Sequence, residues 1–171
     1  DNGLQHVQVR CVGGTLSDHY DPRDQTVSLS EDIYHSTSVS AAAVACHECG
    51  HAVQHAVGYV PMSIRSALVP VANFGSTAWL VLLVIGIALN SMNLVLIACL
   101  VYGFAVLFQV VTLPVEFNAS RRGLAYARNT LGVAGNGAKT VLTAAALTYV
   151  AAALTSIMQL LYYLSIFTDN R

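Results

Sequence analysis

Three long apolar stretches, residues 67–89, 94–113 and 141–167, occupy most of the second half of the chain. As an α-helix the middle stretch would extend about 30 Å, which is the thickness of the hydrocarbon core of a bilayer. Only 10% of the residues are charged, whereas an ordinary soluble domain has about 25%. A soluble protein of 171 residues has too little surface to cover three such helices. The sequence therefore predicts three transmembrane helices in contact with a lipid bilayer.

The distribution of basic residues predicts the orientation of these helices, because cytoplasmic loops are enriched in lysine and arginine. Near the helix ends, one side of the predicted membrane part carries five basic residues, and the other carries only Arg171. We therefore expect residues 1–66 and 114–140 in the cytoplasm, joined by a transmembrane hairpin at 67–113 and followed by a helix and tail at 141–171. The five basic residues are Arg65, Arg121, Arg122, Arg128 and Lys139.

The polar N-terminal part has the pattern of a small sheet followed by a helix. Residues 6–12 alternate in polarity like a strand, and residues 16–29 resemble a hairpin around the turn Asp-Pro-Arg-Asp. A serine at position 30, 36 or 38 would cap the next helix, which we expect to end near Gly58. The predicted fold class is α+β, with a small N-terminal sheet and one helix joined to an all-α membrane part.

That N-terminal helix contains the sequence HECGH, in which His47, Glu48 and His51 interrupt a run of small apolar residues. Residues four apart share one face of a helix, so both imidazoles can reach the same ion. This spacing is typical of zinc hydrolases, in which two histidines bind Zn²⁺ and the glutamate takes a proton from the zinc-activated water. The alternative, that these groups are simply buried, would require other polar partners nearby.

A catalytic zinc ion needs a third protein ligand and one open position. His55 lies about 12 Å of helix rise from His47, too far to share the ion easily. The longer motif with a third histidine is excluded, because the chain has Gln54 and Val57 at its two defining positions. Glu116 is the only acidic residue between Glu48 and Asp169, and we predict that it is the third ligand. An ion pair with Arg121 or Arg122 is the alternative role for Glu116.

The segments HECGHAVQH, LPVEFNASRR and AALTYVAAAL resemble the bacterial membrane-bound neutral zinc metallopeptidases of the YugP type, over essentially the whole chain. The resemblance implies a gluzincin-like site with one zinc ion per chain, His47, His51 and Glu116 as ligands and Glu48 as general base. It also implies a bacterial inner membrane, with a further membrane segment upstream of Asp1. The more distantly similar M48-type membrane proteases carry an aspartate four residues after the ligand glutamate, where this chain has Ser120. The groups that orient the histidines must therefore differ.

Several further residues are candidates for supporting roles. Asn118 and Ser120 could orient the zinc histidines. A donor for the oxyanion could be Arg121 or Arg122, and the other side chains considered for that role are Tyr34, His35 and Tyr126.

Peptidases often hold the substrate as an added strand at the edge of a sheet, and we expect Thr26, Val27 and Ser28 to form that edge. Ordinary core sheet is the alternative for these three residues.

The predicted function is therefore hydrolysis of peptide bonds in membrane or membrane-near polypeptides. An intramembrane protease of the site-2 type is disfavoured, because that class uses an aspartate in a membrane helix and no apolar stretch contains one. A catalytically idle zinc-containing scaffold or regulatory subunit is the alternative outside enzymes; Cys49 could close its fourth position, although it points away from His47.

A net charge of −1 and the lack of a basic run argue against a nucleic-acid partner. We expect the four cysteines to be reduced.

Overall fold

The computed structural model describes residues 3–129, 132 and 136–169. Its elements are β1 (Gln8–Val12), β2 (His19–Asp21), β3 (Thr26–Ser30), α1 (Glu31–Tyr34), α2 (Val39–Ala56), α3 (Val60–Ala88), α4 (Met92–Asn129) and α5 (Asn136–Asp169). The predicted α+β class is confirmed. The chain divides into two compact units, one formed by residues 1–63 with 114–148 and one by residues 64–113 with 149–171.

The sheet of the first unit has three strands in the order β1-β3-β2. The predicted hairpin is present, with β2 and β3 antiparallel and Tyr20 opposite Val27. Strand β1 pairs in parallel with the other side of β3, a pairing that alternation within single strands does not reveal. The prediction that Thr26, Val27 and Ser28 form a free edge for substrate is wrong. Both sides of β3 are already hydrogen-bonded and all five of its residues are buried, so no further strand can be added there.

Helix α2 has well-defined ends. The side chain of Ser38 accepts a hydrogen bond from the backbone N–H of Ala41 at 3.1 Å, which caps the helix as one of the three serine candidates predicted. At the other end Gly58 adopts a left-handed conformation with φ of 62°. The backbone N–H groups of Gly58 and Tyr59 return to the carbonyls of His55 and Gln54, the pattern of a Schellman motif.

Helix α2 approaches helix α4 so closely that only glycine fits at two contact points. A Cβ atom on Gly50 would lie 2.5 Å from the carbonyl oxygen of Ala119, and one on Gly123 would lie 2.7 Å from the carbonyl oxygen of Cys46. Small residues allow backbones to pack this closely. This approach brings the middle of α2 beside the segment of α4 that begins at Pro114.

The second unit consists of the apolar parts of α3, α4 and α5. Three helices are long and apolar enough to cross a membrane, as predicted, although each extends beyond its apolar stretch. Helix α4 runs through Pro114 without interruption. Large apolar side chains such as Phe74, Val84 and Leu100 are exposed on these helices, as expected of surfaces that face lipid.

Candidate metal centre

The two histidines of helix α2 lie side by side on the face that meets helix α4. The ring centroids of His47 and His51 are 4.8 Å apart and the rings are nearly perpendicular, as the spacing of four residues predicts. His51 is buried and His47 is nearly so. Their Nε2 atoms point toward the same acidic side chain of α4.

That side chain is Glu116, which is 2% exposed. Its Oε2 atom lies 3.2 Å from Nε2 of His47 and 3.6 Å from Nε2 of His51. The ligand atoms of the three residues all lie within 4.8 Å of one another, close enough to hold one metal ion. The expected alternative, an ion pair between Glu116 and Arg121 or Arg122, is not formed among the described residues.

The polar atoms of this group fit a metal ion. Oε2 of Glu116 is buried without a hydrogen-bond partner among the described residues, and such an atom ordinarily costs stability. Two imidazole nitrogens and one carboxylate oxygen are ligands that Zn²⁺ accepts, and three protein ligands leave one position open. A zinc ion would satisfy the otherwise unpaired oxygen.

A buried amide determines which nitrogen of His51 carries the proton. The side chain of Gln54 is fully buried. Its Nε2 atom donates to the carbonyl oxygen of Val115 at 2.8 Å, and its Oε1 atom lies 2.9 Å from Nδ1 of His51. Because a carbonyl oxygen can only accept, the amide orientation is fixed and Nδ1 of His51 must donate to Gln54. In the neutral imidazole, Nε2 of His51 is then unprotonated and free to bind a metal.

His47 is held by a different partner. Its Nδ1 atom lies 3.0 Å from the hydroxyl oxygen of Ser120, one of the two residues predicted to orient the zinc histidines. Asn118, the other predicted orienting residue, contacts neither histidine directly. Its Oδ1 atom accepts from Nε2 of Gln54 at 3.0 Å and from Nε of Arg122 at 2.8 Å, so it supports His51 through Gln54.

Glu48 lies beside the metal group but is not part of it. The residue is 8% exposed, and its carboxylate forms no side-chain hydrogen bond with the described residues. Burial raises the pKa of Glu48, although the neighbouring His51 and His47 act in the opposite direction. For His51, burial lowers the pKa, but the adjacent carboxylate of Glu116 outweighs that effect and raises it.

The remaining candidates lie outside the metal group. The ring of His55 is hydrogen-bonded through Nδ1 to the hydroxyl of Tyr20 at 2.8 Å. All four cysteines are free in the structure, with Cys46 and Cys99 buried and Cys49 and Cys11 exposed. Arg121 is exposed, and Tyr34 and His35 contact each other through their rings.

Gln54 is the residue of the site that sequence reasoning missed. Its role depends on contacts with Val115 and Asn118, which are more than 60 positions away, so no local pattern reveals it. One signal was available, because a glutamine three positions after a zinc histidine on an apolar helix requires a buried partner.

Comparisons with known proteins point in the same direction as the geometry. The sequence model of the family described as "Putative neutral zinc metallopeptidase" matches residues 1–168. The chain is 46% identical over 176 aligned positions to "Putative membrane protease YugP" of Bacillus subtilis (strain 168), and the alignment covers 99% of this chain and 77% of that protein. No solved structure shows significant similarity to the chain.

Proposed function

The chain belongs to the neutral zinc metallopeptidase family, and on that premise we propose that it is a membrane-anchored zinc-dependent endopeptidase. Its substrates are membrane or membrane-near polypeptides. The family assignment confirms the resemblance stated above. The name of the Bacillus subtilis relative, a membrane protease, and three helices able to cross a membrane support the proposed setting.

The observation that carries this proposal is the buried Oε2 atom of Glu116, which has no hydrogen-bond partner among the described residues and faces two imidazole nitrogens. In the proposed site His47, His51 and Glu116 would hold one zinc ion per chain. When bound, zinc supplies Lewis acidity, which lowers the pKa of water and polarises the peptide carbonyl. The chain itself supplies the orientation of the ligands, through Gln54 on His51 and Ser120 on His47.

Glu48 is the proposed general base. It would accept a proton from the attacking water and deliver that proton to the nitrogen of the leaving amine. A base works best when its pKa lies near the working pH, and burial raises the pKa of Glu48 in that direction. An idle zinc scaffold would need no such residue, because Glu48 bonds to no described group that it could hold in place.

The proposed activity can be tested with a reporter polypeptide that is tethered to the membrane and reconstituted with the purified chain in liposomes. We expect cleavage by the wild type, loss of cleavage in Glu48→Gln by at least about 10²-fold, and unchanged cleavage in Glu31→Gln. Glu31 is a matched control because it is exposed on the short helix α1. Equal cleavage by wild type and Glu48→Gln would overturn the proposed mechanism.

We further propose that the site faces the cytoplasm across a bacterial inner membrane, on the basis of the basic residues near the helix ends. Cys11 lies on β1 and is exposed, so a thiol reagent that does not cross membranes can report its side. In intact spheroplasts we expect Cys11 to remain unlabelled until the membrane is permeabilised. Labelling of a Cys11→Ser variant measures the contribution of the other thiols, and this background is subtracted. Labelling of Cys11 in intact spheroplasts would place this region outside.

A further inference from the structure

The first unit contains a cavity of about 550 Å³ on the far side of helix α2 from the histidines. Cys49 and Val53 line it, and these residues lie roughly 200° and 240° around the helix from His47. Its size is within the range of about 300–1,000 Å³ that is typical of small-molecule pockets. The metal group does not line this cavity, so the proposed catalysis leaves it without a role.

The wall of the cavity is mainly apolar and comes from the N-terminal segment, the sheet, α2 and the end of α4. Its rim is open, because Val9 is 52% and Tyr126 37% exposed. The apolar side chains that form the wall are Leu4, Val7, Val9, Val27, Val53 and Ala125. A wall of this kind fits a hydrocarbon chain.

One cation stands in this apolar wall. Arg122 is the only charged side chain among the described residues that line the cavity. Its Nε atom donates to Asn118, and its two terminal amino groups have no carboxylate partner in the part of the chain that the structure describes. A guanidinium in such a position binds a carboxylate in a bidentate way.

Arg122 also connects the cavity to the metal group. Arg122 donates to Oδ1 of Asn118, Gln54 donates to the same oxygen, and Oε1 of Gln54 faces Nδ1 of His51. A group bound at Arg122 is thus linked by three consecutive hydrogen bonds to a proposed zinc ligand.

From the volume, the apolar wall and the lone guanidinium, we propose that the cavity is a binding site for a long-chain fatty acid. Its hydrocarbon chain lies between β1 and α2, and its carboxylate pairs with Arg122. A peptide substrate fits less well, because the cavity opens on the face of α2 opposite the proposed zinc ligands. Fatty-acid binding goes beyond the proposed function and does not depend on catalysis.

The test uses the full chain in lipid nanodiscs and a fatty acid that carries a photoreactive diazirine near the end of its chain. After irradiation, mass spectrometry should locate the label on peptides that contain Val9, Val53 or Tyr126. Unlabelled oleic acid should compete, whereas its methyl ester should compete about tenfold less well, because it cannot form the charge-assisted pair.

Two variants and two matched controls distinguish the contribution of the apolar wall to binding from that of the Arg122 guanidinium. Ala125→Trp fills the cavity from its exposed rim and should reduce labelling at least about tenfold, whereas Ala144→Trp, at an exposed alanine of α5 outside the cavity, should not. Arg122→Gln should abolish the preference for the acid over the ester, whereas Arg128→Gln should preserve it. Far-ultraviolet circular dichroism and gel filtration establish that each variant is folded.

The proposal is overturned if labelling lies outside the cavity or if folded Ala125→Trp is labelled like the wild type. It is also overturned if the acid and the ester compete equally in the wild type. Competition by an apolar peptide but not by oleic acid would identify a peptide site instead. All of these results are obtained without measuring proteolysis, so the proposed enzymatic function can fail while the fatty-acid site stands.

Discussion

Helices α2 and α3 are both rich in apolar residues but place their side chains in opposite ways. In α2, Glu48, His51 and Gln54 are polar and buried. In α3, Phe74 and Val84 are apolar and 73% and 58% exposed. The difference shows that α2 keeps polar groups inside the first unit, whereas α3 exposes apolar groups on the surface of the second unit. Where polar groups are inside, they must be bonded or face a ligand, and where apolar groups are outside, the natural surroundings are lipid.

The largest effect is expected from a substitution that forces α2 and α4 apart. Gly50→Leu places a side chain where the carbonyl oxygen of Ala119 lies 2.5 Å from an ideal Cβ, and backbone cannot move aside easily. We expect loss of the folded first unit and of zinc binding. Gly103→Leu is the matched control, because no atom lies within 4 Å of its ideal Cβ. Zinc retained by a folded Gly50→Leu would show that the close approach is unnecessary.

A second test removes the buried amide. Gln54→Leu keeps the size of the side chain but removes the group that fixes Nδ1 of His51 as a donor. We expect zinc affinity to fall about 10–100-fold, as is typical when a partner of a metal-bound histidine is lost. Gln159→Leu removes an amide that bonds Tyr102 in the second unit and should leave zinc affinity unchanged. Equal effects of the two substitutions, measured by titration with a zinc chelator, would contradict the account.

A smaller effect is expected at His47. Ser120→Ala removes one neutral hydrogen bond to Nδ1 of that ring, worth about 1 kcal/mol, so zinc affinity should fall about fivefold. Ser76→Ala, whose hydroxyl bonds only the carbonyl of Asn73, is the control. A loss larger than that in Gln54→Leu would mean that Ser120 is the more important partner.

The smallest effect is expected on the apolar surface. Phe74→Leu alters a side chain that is 73% exposed, and the free energy of unfolding in lipid should change by no more than about 0.5 kcal/mol. Zinc content should not change at all. A large loss of stability, measured by unfolding in bicelles, would mean that this surface packs against protein.

The parts of the site that the sequence predicted are those that local rules govern. A spacing of four residues on one helix is enough to place His47 beside His51. Glu116 was predicted as the third ligand because acidic residues are scarce in this part of the sequence, and its Oε2 atom lies within 3.6 Å of Nε2 of both histidines. Ser38 was among the expected caps because its side chain acts within one turn of the helix.

The parts that the sequence did not predict depend on which segments pair in space. Gln54 acquires its role through residues of α4, and the close approach of α4 rests on Gly50 and Gly123. The proposed edge strand failed for the same reason, because the parallel pairing of β1 with β3 covers Thr26, Val27 and Ser28. Such pairings leave no periodic signal within either segment.

The most direct test of the central claim is the zinc content per polypeptide of the purified wild type, Glu116→Ala, Glu48→Gln and the control Glu31→Ala. We predict about one zinc ion per chain in the wild type, in Glu48→Gln and in Glu31→Ala, and loss of zinc in Glu116→Ala. That result would make Glu116 the third ligand and leave Glu48 free to act as a base. If folded Glu116→Ala holds zinc as tightly as the wild type, the proposed metal centre is wrong.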